Sequence, residues 1–371
     1  MTDAKTTGAA ATLDGTDAVE LLLSLVRIPS PSGEEEAVAR ELEAWGLRHG
    51  LEVERGDWGV RLSIGDPSTG PLLLLASHLD TVPAGEGWTV DPTAAVPDGD
   101  RLVARGAVDA KPSVAGMATA AARLAASGGP ARGALVVLAT FCEETAGTTM
   151  ATALETLPRR PDAAVIGEPT LLRPCIAQRG LLILRGVWSG EQKHAGWAAD
   201  AGAPVVNAIE RAAEDVVRVA ALEFPEEHAV LGKISMTPTT SQAGVARNMT
   251  PPECEVVWDV RTTPALDHAT IAQRVRETIR NGELEVLSDR FHPAATPEGS
   301  KLLATLLSIQ PDREPFASPT ASDWVWMRDV DAVKLGPGDS RQSHTPDETL
   351  ELDQVRQAAS LYETLAREFL A

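Results

Sequence analysis

The chain has 371 residues, of which 43% are apolar and 23% charged, and it carries a formal net charge of −20 at pH 7. This length and composition predict a globular protein of two or three folding units with at least one sizeable core, and they exclude disorder as the main state. Because the acidic residues are spread along the whole sequence, they would repel a phosphate backbone. Nucleic acid is therefore not expected as a partner.

The cysteines and the apolar segments indicate the cellular compartment. Cys142, Cys175 and Cys254 are odd in number and show no CxxC spacing, which argues against a disulfide framework and against a thiolate zinc site. The first residues lack an apolar stretch of signal-peptide length, and no later run approaches the roughly 18 apolar residues of a membrane span. We expect a cytoplasmic protein without a membrane partner.

The first half of the chain predicts strands that alternate with helices. Helical spacing over 17–27 is followed by a second helix that opens after Ser32 and Gly33. Continuous aliphatic runs at 72–76, 134–141 and 163–167 predict strands covered on both faces, and 114–126 predicts an Ala-rich helix between the first two. Such βαβ units predict an α/β fold with a mostly parallel sheet.

The second half predicts an inserted α+β segment. Strands are expected at 181–188, 230–236 and 254–260, and helices at 204–222 and 266–279; beyond residue 291 a strand at 332–335 and a helix at 353–369 follow. The sequence thus predicts a main domain made of 1–178 and 292–371, with a second domain of 179–291 inserted into it.

Polar residues follow the buried strands where ligands gather in parallel sheets, at the carboxyl ends. His78 follows the first of these strands, and Asp80 lies two residues later. A histidine that binds metal through one nitrogen needs an acceptor for its other N–H, which an acid in the same loop can supply. A purely structural role is an equal alternative for so short a pattern.

Three further acids lie in comparable places. Asp109 precedes the Ala-rich helix, where taken alone it is typical of a helix N-cap. Glu143 and Glu144 directly follow an apolar strand, which is unfavourable unless a cation compensates for the repulsion and the loss of water. A solvated loop is the alternative. Glu168 follows the third strand in the same way.

His344 completes the set, in a loop that contains two glycines and two prolines (336–346). The chain then supplies two histidines, three carboxylates and one further glutamate close to strand ends. Nitrogen and oxygen ligands in these numbers suit two divalent metals of the zinc type in a hydrolase.

The order His-x-Asp, Gly-Ala-Val-Asp-Ala-Lys, Glu-Glu, Gly-Glu-Pro and a late His-x-Pro-Asp-Glu resembles the M20 family of metallopeptidases and deacylases, from about residue 17 onward. The resemblance implies two divalent metals per subunit, zinc with cobalt as the alternative, and Asp109 as the bridge between them. It implies Glu143 as the general base and Asp80 as a catalytic positioning residue. The implied ligands are His78, Asp109 and Glu168 for one metal, and Asp109, Glu144 and His344 for the other.

The resemblance also implies functional residues in the inserted segment, which corresponds to the lid and dimerisation domain of the family. His194 would reach across a homodimer to stabilise the oxyanion. Asn248, Arg261 and Gly338 would bind substrate, with Arg261 as a fork for an α-carboxylate, although a surface ion pair is an equal alternative for this arginine. The histidines outside every motif are interpreted as surface residues: His49, His228, His268 and His292.

The chain departs from the family pattern in two places. Pro112 follows Lys111 where family members usually have glycine; proline suits the first turn of a helix, so the change should be tolerated. The stretch 189–193 lacks the usual serine-rich lead-in to His194, which bears on how the lid is positioned.

Segments 105–111 and 336–346 are most similar to the branch of the family that unblocks amino groups in lysine and ornithine biosynthesis. The blocking group there is an acetyl, or the γ-glutamyl end of a small acidic amino-group carrier protein. We therefore expect an amidohydrolase that frees the amine of an N-acylated amino acid. A dipeptidase or aminopeptidase, the acetylornithine deacetylase of arginine synthesis and a non-catalytic relative stay open. A carrier would need a basic docking patch, for which the candidates are Arg179, Arg185, Arg247 and Arg261.

Overall fold

A computed structural model describes residues 15–145, 147–198 and 205–371 of the chain. The Cα positions group into two compact units. The first contains the described residues up to Ile176 together with Thr296–Phe316 and Ser322–Ala371. The second contains the described residues of Ala177–Ala295 together with Ala317–Ala321. The sequence-based division places the boundaries after residues 178 and 291.

The described residues contain helices and strands throughout, numbered here in chain order. The helices are α1 (Gly15–Val26), α2 (Glu36–Arg48), α3 (Lys111–Ala126), α4 (Thr149–Glu155), α5 (Ala208–Ala220), α6 (His268–Thr278), α7 (Lys301–Ile309) and α8 (Leu352–Phe369). The strands are β1 (Glu52–Gly56), β2 (Gly59–Asp66), β3 (Leu72–His78), β4 (Arg101–Val103), β5 (Gly133–Thr140), β6 (Ala163–Ile166), β7 (Cys175–Gln178), β8 (Gly180–Ser189), β9 (Glu227–His228), β10 (Gly232–Lys233), β11 (Ser235–Ala243), β12 (Glu253–Thr262), β13 (Glu283–Phe291), β14 (Ala294–Ala295), β15 (Phe316–Ser318), β16 (Asp331–Lys334) and β17 (Thr349–Glu351). Among these helices none combines the length and the hydropathy that a bilayer crossing requires.

The first unit is built on a mixed, mostly parallel sheet in the order β1-β2-β5-β3-β6-β16. The hairpin β1–β2 is antiparallel and β2 pairs antiparallel with β5, whereas β5, β3, β6 and β16 run parallel to one another. Every residue of β3 and of β5 is buried, as expected for aliphatic strands covered on both faces. The predicted α/β fold is confirmed.

Helix α3 packs against α1 and α8 in the core of the first unit. Thirteen of its sixteen residues are buried, because small side chains let the neighbouring helices approach closely. A Cβ atom at Gly116 would lie only 3.1 Å from the Cβ of Ala358. Pro112, which stands where the family usually has glycine, lies in the first turn of α3, a position where proline is tolerated.

Lys111, in the same turn, is buried, and its Nζ donates to the main-chain oxygens of Leu25 and Ile28, each at 2.9 Å. Burial lowers the pKa of Lys111 to about 7. This lysine therefore ties the start of α3 to the end of α1 and to the segment that follows it.

The second unit contains an antiparallel sheet in the order β11-β12-β8-β13, with α5 and α6 packed against it. Strands β8 and β12 alternate buried and half-buried residues, the period of a sheet with one covered face. Trp188 and Trp258 fill the covered face with their rings edge to face, 6.2 Å between centroids.

A fully buried carboxylate organises this core. Asp215 of α5 accepts hydrogen bonds from the indole N–H of Trp188 (2.9 Å), from the main-chain N–H groups of Arg280 (3.1 Å) and Asn281 (2.8 Å), and from the guanidinium of Arg218 (2.6 Å). Burial alone would raise the pKa of Asp215, but these donors outweigh it and lower the pKa below its ordinary value. The carboxylate thereby fastens α5 to β8 and to the end of α6.

The structure differs from the predicted elements at one strand and at one hairpin. The strand expected at 230–236 is replaced by the short β9–β10 hairpin, whose Gly232 has a φ of +68°, and by β11. Strand β11 exposes almost all of its side chains, so it has no apolar alternation to reveal it. The hairpin β1–β2 was not predicted. The expected helix start at residue 204 lies outside the described residues, and α5 begins at Ala208.

Replacing Asp215 by alanine should lower the free energy of unfolding by about 3–5 kcal/mol, because it leaves buried N–H donors and an arginine without their acceptor. Urea unfolding near neutral pH measures the change. Glu210→Ala, which removes an exposed acid from the same helix, is the matched control and should change stability by less than about 0.5 kcal/mol. Equal effects of the two substitutions would contradict this role.

The same carboxylate predicts a pH dependence. Because the pKa of Asp215 is lower in the folded protein, its contribution to stability is complete above the ordinary carboxyl pKa of about 3.9 and is lost as the pH falls through the folded pKa. The difference in unfolding free energy between wild type and Asp215→Ala should therefore shrink on acidification. A difference that grows at low pH would contradict the assignment.

Candidate metal centre

His78 is the last residue of β3, and its side chain is buried. Its Nδ1 lies 3.0 Å from the main-chain oxygen of Asp80 and 3.4 Å from the carboxylate Oδ1 of the same residue. Its Nε2 faces Asp109, 3.3 Å from Oδ1. One nitrogen is therefore held within its own loop, which leaves the other directed toward a carboxylate, as in a metal-binding histidine with a fixed ring orientation.

The carboxylate of Asp109 lies between two imidazoles. Its Oδ1 is 3.3 Å from His78 Nε2, and its Oδ2 is 3.6 Å from His344 Nε2. Burial would raise the pKa of Asp109, but the hydrogen bond and charge of His78 overcome this and lower it. The peptide bond between Asp109 and Ala110 is cis. One oxygen toward each histidine is the arrangement of a carboxylate that bridges two cations.

His344 pairs with Glu144, with its Nε2 2.9 Å from Oε1. This contact is the main reason why the pKa of His344 is raised. The backbone of His344 has a φ of +65°, a left-handed conformation that is uncommon for residues other than glycine. The structure thus brings His344 to Glu144 and Asp109 across 200 or more residues of sequence.

Asp80 contacts the backbone of Glu143 and Glu144 as well as the ring of His78. Its Oδ1 accepts from the main-chain N–H of Glu143 and its Oδ2 from that of Glu144, each at 3.1 Å, and Ser32 Oγ donates to Oδ2 at 2.7 Å. Burial would raise the pKa of Asp80, but the hydrogen bond from His78 and these donors lower it. One ionised carboxylate therefore positions both the histidine and the two glutamates.

Glu35 supports the turn that carries those glutamates. An acid directly before a helix is typical of one that complements the helix dipole, but the structure directs this side chain elsewhere. Its buried Oε1 accepts from the main-chain N–H of Cys142 at 2.9 Å, and Cys142 has a φ of +52°. Burial and Glu35 raise the pKa of the Cys142 thiol to about 11, so it stays protonated. No sequence motif signals this contact.

Glu348 is a second buried acid, and no sequence motif indicates its role. It is fully buried, and its Oε1 accepts from the main-chain N–H groups of Val108 (2.6 Å) and Asp109 (3.0 Å). Its Oε2 accepts from Arg105 (2.7 Å) and from the N–H of Gly106 (3.2 Å). Glu348, only four residues after His344, therefore fixes the backbone of Asp109.

Negative charge accumulates around the histidines. Removal from water raises the pKa of Glu143 well above its ordinary value, and Asp323 adds to this while His78 opposes it. Removal from water and the charge of Asp109 raise the pKa of Glu168 in the same way. The pKa of Asp323, a buried acid that the sequence analysis missed, rises to about 7, mainly through burial. A cation would relieve this repulsion.

The residues present fit a bound divalent metal. One ligand atom from each of His78, Asp109 and Glu144 lies within 4.8 Å of the others, and His344 joins this group through Glu144. Imidazole nitrogen and carboxylate oxygen are ligands that zinc and similar ions prefer. Glu168 is close enough for its charge to act on Asp109.

Gly338, expected as a substrate contact, lies beside two of these loops. Its φ is +91°, and a Cβ atom there would lie 2.8 Å from the Cγ1 of Val108 and 3.4 Å from the Cβ of Pro169. These neighbours adjoin Asp109 and Glu168. A larger residue at this position would be strained by the positive φ and would press on Val108, next to Asp109, so glycine is favoured there whether or not it touches substrate.

The second unit brings two of the other expected residues together. His194 forms a β-bridge with Met249, and the main-chain N–H of Ala195 donates to the oxygen of Asn248 at 2.8 Å. Both His194 and Asn248 are exposed. The Nδ1 of His194 accepts from the N–H of Gly196 at 3.1 Å. In the neutral ring the proton therefore lies on Nε2, which is then a hydrogen-bond donor.

Most of the arginines proposed for docking have partners in the structure. Arg261 forms a two-pronged ion pair with Asp259 of its own strand, at 2.8 and 3.1 Å. Arg185 pairs with Glu285 and Glu255, and the guanidinium of Arg179 donates to three main-chain oxygens. Arg247 is exposed.

The interpretation of the four unassigned histidines as surface residues is wrong for His268, which is 1% exposed. The hydroxyl of Thr262, six residues earlier, lies 2.8 Å from its Nε2 and gives the buried imidazole a hydrogen-bond partner. His49, His228 and His292 are half-buried.

Sequence comparison matches residues 74–368 to the model of peptidase family M20/M25/M40. The acetylornithine deacetylase of Yersinia pseudotuberculosis is 27% identical to this chain, over 95% of this chain and 97% of that protein. A putative LysW-lysine/LysW-ornithine hydrolase of Pyrobaculum aerophilum is 28% identical, over 92% of this chain and 95% of that protein.

Among solved structures, the aminopeptidase PepT of Bacillus cereus superposes with a TM-score of 0.79 at 17% identity, over 97% of this chain and 100% of that one. The YXEP protein of Bacillus subtilis, a dinuclear metal-binding peptidase of the M20 family, gives 0.75 at 16% identity, over 96% and 98%. These likenesses show a shared fold. Since the family model covers most of the chain and the expected motifs lie within it, the protein belongs to peptidase family M20/M25/M40 and is a hydrolase of amide bonds.

Proposed function

We propose that the protein is a deacylase of amino-acid biosynthesis, which hydrolyses the amide bond of an N-acylated amino acid of the ornithine or lysine type in the cytoplasm. The observation that carries the proposal is the carboxylate of Asp109 between the imidazoles of His78 and His344, with Glu143 beside them. The acetylornithine deacetylases among the relatives, matched over 95% of this chain, support the substrate class.

We further propose that the site takes two divalent ions, zinc with cobalt as the alternative. His78, Asp109 and Glu168 would hold one ion, and Asp109, Glu144 and His344 the other. Two bound ions would polarise the scissile carbonyl and lower the pKa of the attacking water. They would also neutralise the carboxylates whose pKa values are raised by burial and mutual repulsion.

Glu143 would act as general base and then as general acid. Its main-chain N–H is held by Asp80, which fixes where the side chain begins. As a carboxylate that is not a proposed metal ligand, it would take a proton from water and return it to the departing amine. The adjacent Glu144 is occupied by His344, so the two neighbouring acids have separate tasks.

Three residues of the second unit would bind the substrate in a homodimer. With its Nδ1 accepting from Gly196, His194 would donate from Nε2 to the oxyanion of the substrate held by the other subunit. Asn248, on the neighbouring segment, would contribute a second polar contact. Arg261 would bind the substrate carboxylate by exchanging its present partner Asp259.

A carrier protein bearing the amino acid is the second candidate substrate, favoured by the LysW-hydrolase relative. Three of the four arginines considered for docking already have intramolecular partners, and the net charge of −20 would repel an acidic carrier. We therefore place the small N-acyl amino acid first.

Amine release from a matched set of substrates tests the proposal: Nα-acetyl-ornithine, Nα-acetyl-lysine, a carrier protein with γ-glutamyl-linked lysine, and a plain dipeptide. We expect the zinc-loaded protein to release amine fastest from an acetylated amino acid. Fast release from the carrier alone would establish the second candidate. Preference for the dipeptide would make the protein a peptidase, and no release from any substrate would indicate a non-catalytic relative.

Replacing Glu143 by alanine should lower kcat by roughly 10²–10⁴-fold, because no other group would take the proton from water. Metal content should stay at the wild-type value, since Glu143 is not among the proposed ligands. Steady-state kinetics together with metal analysis by mass spectrometry measure both quantities. Near-normal turnover would remove Glu143 from the mechanism, and a parallel loss of metal would make it a ligand.

Replacing Glu348 by glutamine should weaken metal binding by about 10–100-fold, because the single amide oxygen can accept from only one of the two donor pairs. In either orientation an NH₂ group faces N–H donors of the segment that carries Asp109. Competition with a chromogenic chelator measures the affinity without requiring activity. Glu351→Gln, an exposed acid three residues away, is the control and should bind metal like the wild type. Unchanged affinity in Glu348→Gln would contradict this positioning role.

A further inference from the structure

The second unit contains another cluster of side chains of the types that bind metals. His268 is the first residue of α6, Asp289 belongs to β13, and His292 follows that strand. One ligand atom from each of the three lies within 4.8 Å of the others. The cluster shares no residue with the metal centre of the first unit and belongs to none of the motifs that identify the family.

One side chain of the cluster is buried and the other two are in contact with solvent. His268 is 1% exposed, whereas the side chains of His292 and Asp289 are 31% and 57% exposed. The two imidazole rings are stacked, with centroids 4.3 Å apart and planes 19° from parallel. Solvent therefore reaches the outer two side chains directly, and an ion can enter from that side.

Thr262 fixes the inner histidine. Its Oγ1 lies 2.8 Å from the Nε2 of His268, so Nδ1 is the nitrogen suited to binding an ion. Metal-binding histidines commonly have their second nitrogen held in this way, which sets the ring orientation. On the outer side, the Oδ1 of Asp289 lies 3.7 Å from the Nε2 of His292, which adds a negative charge close to both rings.

We propose that His268, Asp289 and His292 form an additional site for a divalent ion of the zinc type. Two imidazole nitrogens and one carboxylate oxygen suit zinc, with the fourth position taken by water. Since nearly parallel rings cannot both direct a lone pair at one point, the half-exposed ring of His292 turns toward the ion while buried His268 keeps its place. The ion then fastens the end of β13 to the first turn of α6.

The test counts the zinc ions that the protein binds. Metal-free full-length protein is titrated with zinc near neutral pH, in competition with a chromogenic chelator, as wild type and as His292→Ala. We expect the wild type to bind one equivalent more than the variant. Because the readout is this difference, it does not depend on how many ions the centre in the first unit takes or on whether the substrate proposal is correct.

Two further variants keep the test decisive. Asp289→Asn changes an exposed side chain without altering its size, and it should weaken the additional equivalent by about 10-fold or more even if His292→Ala folds poorly. His49→Ala is the matched control, since His49 is also a half-buried, stacked histidine, 4.0 Å from the ring of Trp45, and it should bind like the wild type. Equal zinc counts in wild type and both cluster variants, or the same loss in His49→Ala, would overturn the proposal.

Discussion

Repulsion between carboxylates that have been removed from water is the constraint on which the first unit depends. Parallel strands end at one edge of the sheet, where Glu143 follows β5 and Glu168 follows β6, and Asp109 joins them from the segment before α3. Two histidines cannot neutralise this charge alone, as the raised pKa values of Glu143 and Glu168 indicate. Metal binding and the stability of this edge are therefore linked, since a cation bound there stabilises the folded arrangement.

Buried carboxylates that are not proposed ligands do much of the positioning. Asp80 accepts from the backbone of Glu143 and Glu144, Glu348 from the backbone around Asp109, and Asp215 from the backbone that follows α6. In each case an acid on one segment holds main-chain N–H groups of another. A side chain that several donors hold in one orientation gives its neighbours a fixed geometry, which a metal site and a closely packed core both require.

The sequence predicts the buried part of this structure better than the exposed part. Aliphatic runs identified β3, β5 and β6, and the family motifs directed attention to the polar residues after them. Strand β11 could not be predicted because its polar residues are exposed on both faces. The sequence also cannot show which of its 53 acids become buried partners, so Glu35, Asp323 and the role of Glu348 emerged only with the tertiary contacts. The burial of His268 beside Thr262 emerged in the same way.

The distance along the chain between the members of the metal centre determines when the centre can form during synthesis. His344 follows its partner Glu144 by 200 residues, and Glu348 follows Asp109 by 239. While the ribosome makes the intervening segment, the earlier acids are already present without the second imidazole or the acid that holds their loop. A chain that stops before His344 therefore keeps these acids without the second imidazole and cannot complete the centre.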